Sequence, residues 1–150
     1  MRTFAVLTDM MKAARASDNV SLNALILQDL RLTAFESFLT AQLDSKSVAD
    51  LRQYLELPNF VTMKGTAPYN QVITALMNHA VAHHLSANTV KIIMEHSARP
   101  HEDSTTALSK LFGMAAWRTI ETETPNPDVA TAKTLLQYSP DVENPFNAVA

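Results

Sequence analysis

Residues 57–94 read LPNFVTMKGTAPYNQVITALMNHAVAHHLSANTVKIIM, and the rest of the chain has to be arranged around them. They contain no acid, and Lys64 and Lys91 are their only fixed charges. Pro68 to Leu85 reads as a helix, because proline is favoured at the first helical position, where its missing N–H has no helical partner. At about 100° per residue, Val72, Leu76, Tyr69, Ala80, Ile73 and Met77 fall in one arc. Asn70, Thr74, Asn78 and Gln71 take the opposite side. A surface helix ordinarily carries lysine and glutamate there. Amides and hydroxyls in their place imply partial cover by other chain or by another subunit.

Three of the five histidines lie in this stretch. On the same wheel His83 falls between Val72 and Leu76, His79 lies one turn earlier on that edge, and His84 lies near Met77. His79 and His83 are spaced i, i+4, which sets two imidazoles side by side, a spacing that can chelate a metal. Ala80 stands where a zinc hydrolase of the H-E-x-x-H type has its glutamate. A third ligand would have to come from His96, Glu95 or His101. The competing expectation is structural: half-buried rings bonded to backbone or neighbours. A pH-responsive contact is a third, since histidine titrates near neutrality.

Towards the N-terminus, Arg2 to Ala16 reads as a helix with Phe4, Leu7, Met10, Met11 and Ala14 inward. Ser17-Asp18-Asn19 breaks it and caps the next. Ser21 to Leu32 is read as helix, although Leu30 to Thr33 alternates like a strand. Thr33-Ala34-Phe35-Glu36 fits a capping box opening a helix with Phe35, Phe38, Leu39 and Leu43 inward. Ser47 caps a helix with Val48, Leu51, Tyr54 and Leu55 inward, and Pro58 ends it by biasing Leu57 away from helical angles. Asn59 to Ala67 is a connection with Phe60, Val61 and Met63 buried, and Gly65 supplies a positive φ in it.

Towards the C-terminus, Ser86 caps Ala87 to Ser97, with Val90, Ile93 and Met94 inward. Arg99 to Asp103 reads as a polar linker, and Thr105 to Glu121 as a helix apolar on two sides. Leu108, Leu111, Phe112 and Ala115 form one side; Gly113, Trp117 and Ile120 form the other. A glycine inside a helix costs about 1 kcal/mol relative to alanine, so Gly113 calls for a reason. One is close approach of another segment, with Trp117 as its wall. The other is that Gly113 is the turn of a helix-turn-helix, although the second helix then offers Arg118 as its one base. Asn126, Pro127 and Asp128 open a last helix that Pro140 stops. Helix spacing near this end loosely echoes tetratricopeptide repeats without their recurring positions.

Composition excludes several chemistries. Only Gly65 and Gly113 are glycines, and phosphate-binding loops, dinucleotide turns and nucleophile elbows each need several close together. Cysteine is absent, which removes disulfides, thiol nucleophiles and thiolate metal sites. No apolar run has the length of a membrane span. Met1 to Ala16 bears a faint likeness to an amphipathic transit peptide, is too apolar-poor for a secretory signal, and is expected in the mature chain. Without secretory context the sequon at Asn19 is discounted. The net charge of −3 is uneven: residues 121–150 hold five acids against Lys133. The bases are spread singly, whereas a nucleic-acid footprint clusters them.

The expected fold is therefore all-α: one compact bundle of about six to eight helices over residues 1–140, with 141–150 as an extended docking tail. No cofactor and no catalytic constellation are expected. The function expected is that of a non-catalytic interaction or assembly subunit, soluble and intracellular, in a homo-oligomer or larger particle such as a viral connector. Gly113, Trp117, Ile120 and Phe146 are its expected contact residues, and seven methionines offer adaptable contacts. The alternatives are a helix-turn-helix DNA-binding protein and a metal-binding protein built on His79 and His83.

Overall fold

A computed structural model describes residues 2–45, 48–112 and 127–138. Among these residues there are nine helices and no strand, so the chain is all-α as its periodicity predicts. The count exceeds the expected six to eight partly because Pro58–Val61, read from sequence as connection, is a short helix. Residues 1–76 and 77–150 form two compact units. Residues 141–150, read as a docking tail, lie outside the described residues.

The first unit holds α1 (Arg2–Arg15), α2 (Asn19–Ile26), α3 (Thr33–Ser45), α4 (Val48–Leu55), α5 (Pro58–Val61) and the start of α6 (Ala67–Ala82). In it α1 packs on α2 and α3, α2 on α5, and α3 on α4. Ser17 takes a left-handed φ of 54°, and the amides of Ser17 and Asp18 bond back to Ala14 and Ala13 at 3.1 and 2.8 Å. This paired closure satisfies the last carbonyls of α1. The Asp18 carboxylate then caps α2, accepting from the Ser21 hydroxyl at 2.6 Å and its amide at 3.1 Å. These bonds, the hydroxyl's first, hold the Asp18 carboxyl below its usual range. The predicted break at 17–19 is thus both an end and a start.

Two expectations need correction here. The buried line of α1 is Val6, Met10 and Ala13, while Phe4 points outward at 74% exposure. Both lines of α1 are apolar, so periodicity alone does not choose between them. The small Val6 and Ala13 side chains allow closer approach of neighbouring helices. Secondly, α2 stops at Ile26, six residues short of the predicted Leu32. Leu32 is fully buried with a left-handed φ of 60°, which a right-handed helix cannot contain. The Asp29 carboxylate accepts from the Ala34 amide at 3.0 Å. The Glu36 amide bonds to the Leu32 carbonyl at 2.8 Å, where a capping box would direct it to the Thr33 hydroxyl. Asp29 therefore serves the start of α3 in the way Thr33 was expected to.

The core of this unit is a run of rings. Phe35 and Phe38 come from α3, Tyr54 from α4, Phe60 from α5 and Tyr69 from α6, all buried. Phe60 meets Phe35 edge-on with centroids 5.0 Å apart, and stacks on Tyr69 at 4.4 Å. Phe38 meets Tyr54 edge-on at 5.1 Å. Such pairs add about 0.5–1.5 kcal/mol each beyond their buried area. The four-residue α5 has no side-chain cap from its own Leu57. Asn23 of α2 supplies one: its carboxamide oxygen accepts from the Asn59 amide, and the Asn59 side chain donates back to the Asn23 carbonyl, both at 2.8 Å. Gly65 has a φ of 92°, the positive value expected.

Burial pushes the Tyr69 phenol up to about 12. It raises Tyr54 as well, with the Asp50 charge adding to the effect. A phenol whose folded value lies above its unfolded value of about 10 favours the fold fully below that pH. Its contribution is lost as pH rises from about 10 through about 12. We expect part of the tyrosinate absorbance of the native protein to lag that of the chain in concentrated urea. Coincident titration curves would show that Tyr69 is not buried.

The second unit holds the remainder of α6, α7 (Ala87–Glu95), α8 (Pro100–Phe112) and α9 (Pro127–Leu136), with α7, α8 and α9 in mutual contact. Ser86 caps α7 as predicted, accepting from the Thr89 amide, and Val90, Ile93 and Met94 are buried. Pro127 opens α9, also as predicted. The expected linker at 99–103 is instead the start of α8. Pro100 is its first residue, and the Asp103 amide bonds to the Arg99 carbonyl at 3.1 Å. Asp103 is buried and accepts from the Ser97 hydroxyl at 2.5 Å. The Arg99 amide donates to that same hydroxyl at 3.0 Å, and the Arg99 guanidinium lies 3.5 Å from the carboxylate. The polar run that resembled a linker is a helix start with its acids in the first turn, where the helix dipole favours them.

Candidate functional site

The apolar arc of α6 is buried as predicted: Tyr69, Val72, Ile73, Leu76, Met77 and Ala80 are each at most 2% exposed. Its opposite side is half covered. Asn70, Thr74 and Asn78 are half-buried and Gln71 is exposed. The Asn70 Oδ1 atom is buried without a hydrogen-bond partner, an uncommon condition for an amide oxygen.

The wheel assumes a helix running on to Leu85, and α6 ends short of it. α6 stops at Ala82. His84 takes a φ of 54°, and the amides of His84 and Leu85 bond back to Val81 and Ala80 at 3.2 and 2.9 Å. This is the closure that ends α1, with histidine in the left-handed position usually given to glycine. His83, expected within the apolar arc, is consequently exposed, as is His84; His79 is half-buried. The predicted pairing is present. The rings of His79 and His83 stack with centroids 4.2 Å apart and planes 27° from parallel.

The additional ligands considered from sequence do not join them. Among the described residues no three His, Asp or Glu side chains gather into a metal-binding group. His96 directs Nδ1–H to the Ile92 carbonyl at 2.8 Å, and His101 stands in the first turn of α8. Gly113, Trp117, Ile120 and Phe146, the expected contact residues, lie outside the described residues. The same holds for the choice between a continuous helix and a helix-turn-helix at Gly113.

A second candidate surface escaped the sequence reading. Among the described residues, the large apolar side chains left exposed are Phe4, Val20, Leu27, Leu30 and Val61, all in the first unit. Val20 and Leu27 are 83% and 53% exposed. They are seven residues apart, two turns on the same side of a helix, with exposed Ala24 between them. Leu30 follows at 61% exposure. No charged residue lies between Asp18 and Asp29, so the outer face of α2 is apolar and uncharged. Val61, expected inside, is 44% exposed on α5, the helix that packs against α2. The available signal was the pattern of α2 itself, whose apolar residues exceed one face. Ala24 of that line also borders an open groove of about 480 Å³, lined further by Asp9, Lys12 and Ala13 of α1, Asp18 of the turn, and Ser21 and Leu25 of α2.

No helix among the described residues is long and apolar enough to cross a membrane. Comparison with protein-family models, with curated proteins and with solved structures finds no match to this chain.

Proposed function

We propose that this chain is a non-catalytic helical assembly subunit, soluble and intracellular, that associates with copies of itself through the outer face of α2. The observation that carries this reading is the exposed line of Val20, Ala24 and Leu27 on the uncharged stretch between Asp18 and Asp29, with exposed Leu30 just beyond it. Apolar side chains scattered singly are ordinary on a surface, whereas a contiguous patch marks an interaction site. An uncharged helix face can lie against its own two-fold copy without opposing like charges, and two-fold pairs are the commonest oligomers. The half-covered amides of α6 are a further uncharged surface of the kind subunits use.

Sedimentation velocity on the full chain and on Val20→Ser/Leu27→Asp tests this. The unaltered chain is expected to sediment as an oligomer at tens of micromolar, and the double variant as a monomer with unchanged helical content. Since both side chains are largely exposed, the substitutions change little else. An unaltered chain that stays monomeric under these conditions would remove self-association and leave a different subunit as the partner. Oligomers that persist in the double variant would move the contact away from α2.

A further inference from the structure

We propose that His79 and His83 form an open two-imidazole site for a divalent late first-row transition metal ion, Zn²⁺ or Cu²⁺. The site is independent of the association surface on α2. The sequence supplies the i, i+4 spacing; the structure supplies the preorganisation. The His83 amide bonds to the His79 carbonyl at 3.0 Å, the ordinary i→i−4 helical bond, so the helical turn between the two rings is intact although α6 ends at Ala82. The paired closure through His84 and Leu85 then fixes the chain immediately beyond His83.

The spacing of the rings, not their present orientation, suits a chelate. With metal–nitrogen bonds of about 2.0–2.1 Å, two nitrogens on one ion lie roughly 3–3.4 Å apart. The stacked rings, with centroids 4.2 Å apart and planes 27° from parallel, place the two imidazoles within reach of one ion, and because a metal binds in the plane of each ring, both side chains turn out of the stack to converge on it. Each imidazole has two ring nitrogens, so one can bind metal while the other keeps a hydrogen bond.

Charge favours a cation at this place. The pair sits at the carboxyl end of α6, where the aligned peptide dipoles sum to about half a negative charge. No lysine or arginine occurs between Lys64 and Lys91 to oppose an ion from the same helix. Because no third protein ligand gathers there among the described residues, the remaining coordination positions fall to water or to a donor from another molecule. A site of this kind keeps open positions, unlike a closed structural zinc site.

The test is calorimetric titration of untagged full-length protein with zinc chloride and, separately, with cupric chloride at neutral pH. The comparison set is His79→Gln, His83→Gln, the double variant and His84→Asn. The unaltered protein is expected to bind Cu²⁺ more tightly than Zn²⁺. Either single variant should bind at least about tenfold more weakly, as a two-point site becomes a one-point site. His84→Asn is expected to bind as the unaltered protein does, since asparagine tolerates the left-handed backbone there. Equal affinity in the unaltered protein and the His79→Gln/His83→Gln double variant would overturn the proposal, as would no binding at millimolar metal. Running the same titration on Val20→Ser/Leu27→Asp keeps the result separate from association: a site on α6 binds equally in a monomer.

Discussion

Phe60→Ala is expected to lower the stability of the fold by roughly 3–5 kcal/mol, the range for removing a fully buried phenylalanine ring. Phe60 is completely buried and touches a ring on either side, Phe35 edge-on and Tyr69 face-on. It is also the one core side chain of a helix only four residues long. A helix that short has no stability of its own, so its position rests on the ring and on the Asn23–Asn59 exchange. The truncated site cannot collapse easily, because Phe35 and Tyr69 are held by α3 and α6. Phe60→Leu keeps most of the volume and loses the ring contacts, and is expected to cost about 1.5 kcal/mol or less. Urea denaturation followed by far-ultraviolet circular dichroism reads both. Equal midpoints for the alanine and leucine variants would show that refilling the volume recovers nothing, whereas a leucine variant as stable as the unaltered chain would show that ring-to-ring contact contributes nothing measurable.

The second large effect is expected at Asp103. Asp103→Ala removes the acceptor of the Ser97 hydroxyl and one of two carboxylates beside Arg99 at the start of α8, Glu102 remaining as the other. Breaking a buried charge pair by deleting one member typically costs about 3–5 kcal/mol. Arg99 is 41% exposed and recovers part of its hydration, so about 2–3 kcal/mol is expected here. Asp103→Asn preserves shape and the acceptor for Ser97 while losing the charge, and is expected to cost about 1 kcal/mol. Because the closest bond is buried, the alanine effect should change little between low and moderate salt. An alanine variant as stable as the asparagine one would indicate that the hydroxyl–carboxylate bond is replaced by water at no loss.

Both effects arise where the sequence was only half legible. Phe60 is readable as buried from its setting among Leu57, Val61 and Met63, but Asn59 to Ala67 reads as a connection, with Val61 as interior. A four-residue helix offers too little periodicity to register. Asp103 was read as part of a polar linker because Arg99 to Asp103 is uniformly hydrophilic. Its burial depends on Ser97 and Arg99 folding back on it, which composition does not express. The imidazole pair was legible, since i, i+4 spacing is a property of the helix itself. Its exposure was not, because a wheel assumes the helix continues, and α6 ends at Ala82 through backbone bonds that no glycine announces.

By itself the sequence determined that the chain is helical, where Asp18, Ser86 and Pro127 begin helices, which arc of α6 is buried, and which glycine- and thiol-dependent chemistries are absent. These follow from local periodicity and local hydrogen bonding, whose range is a few residues. The tertiary structure alone decided which apolar line of α1 turns inward, that Asn23 caps a helix 36 residues away, that Leu32 is buried in a left-handed conformation, and that Val20 and Leu27 remain outside. Each of these depends on which segment of the chain arrives at a surface. That is set by competition among apolar faces of similar size, and no single stretch of residues records its outcome.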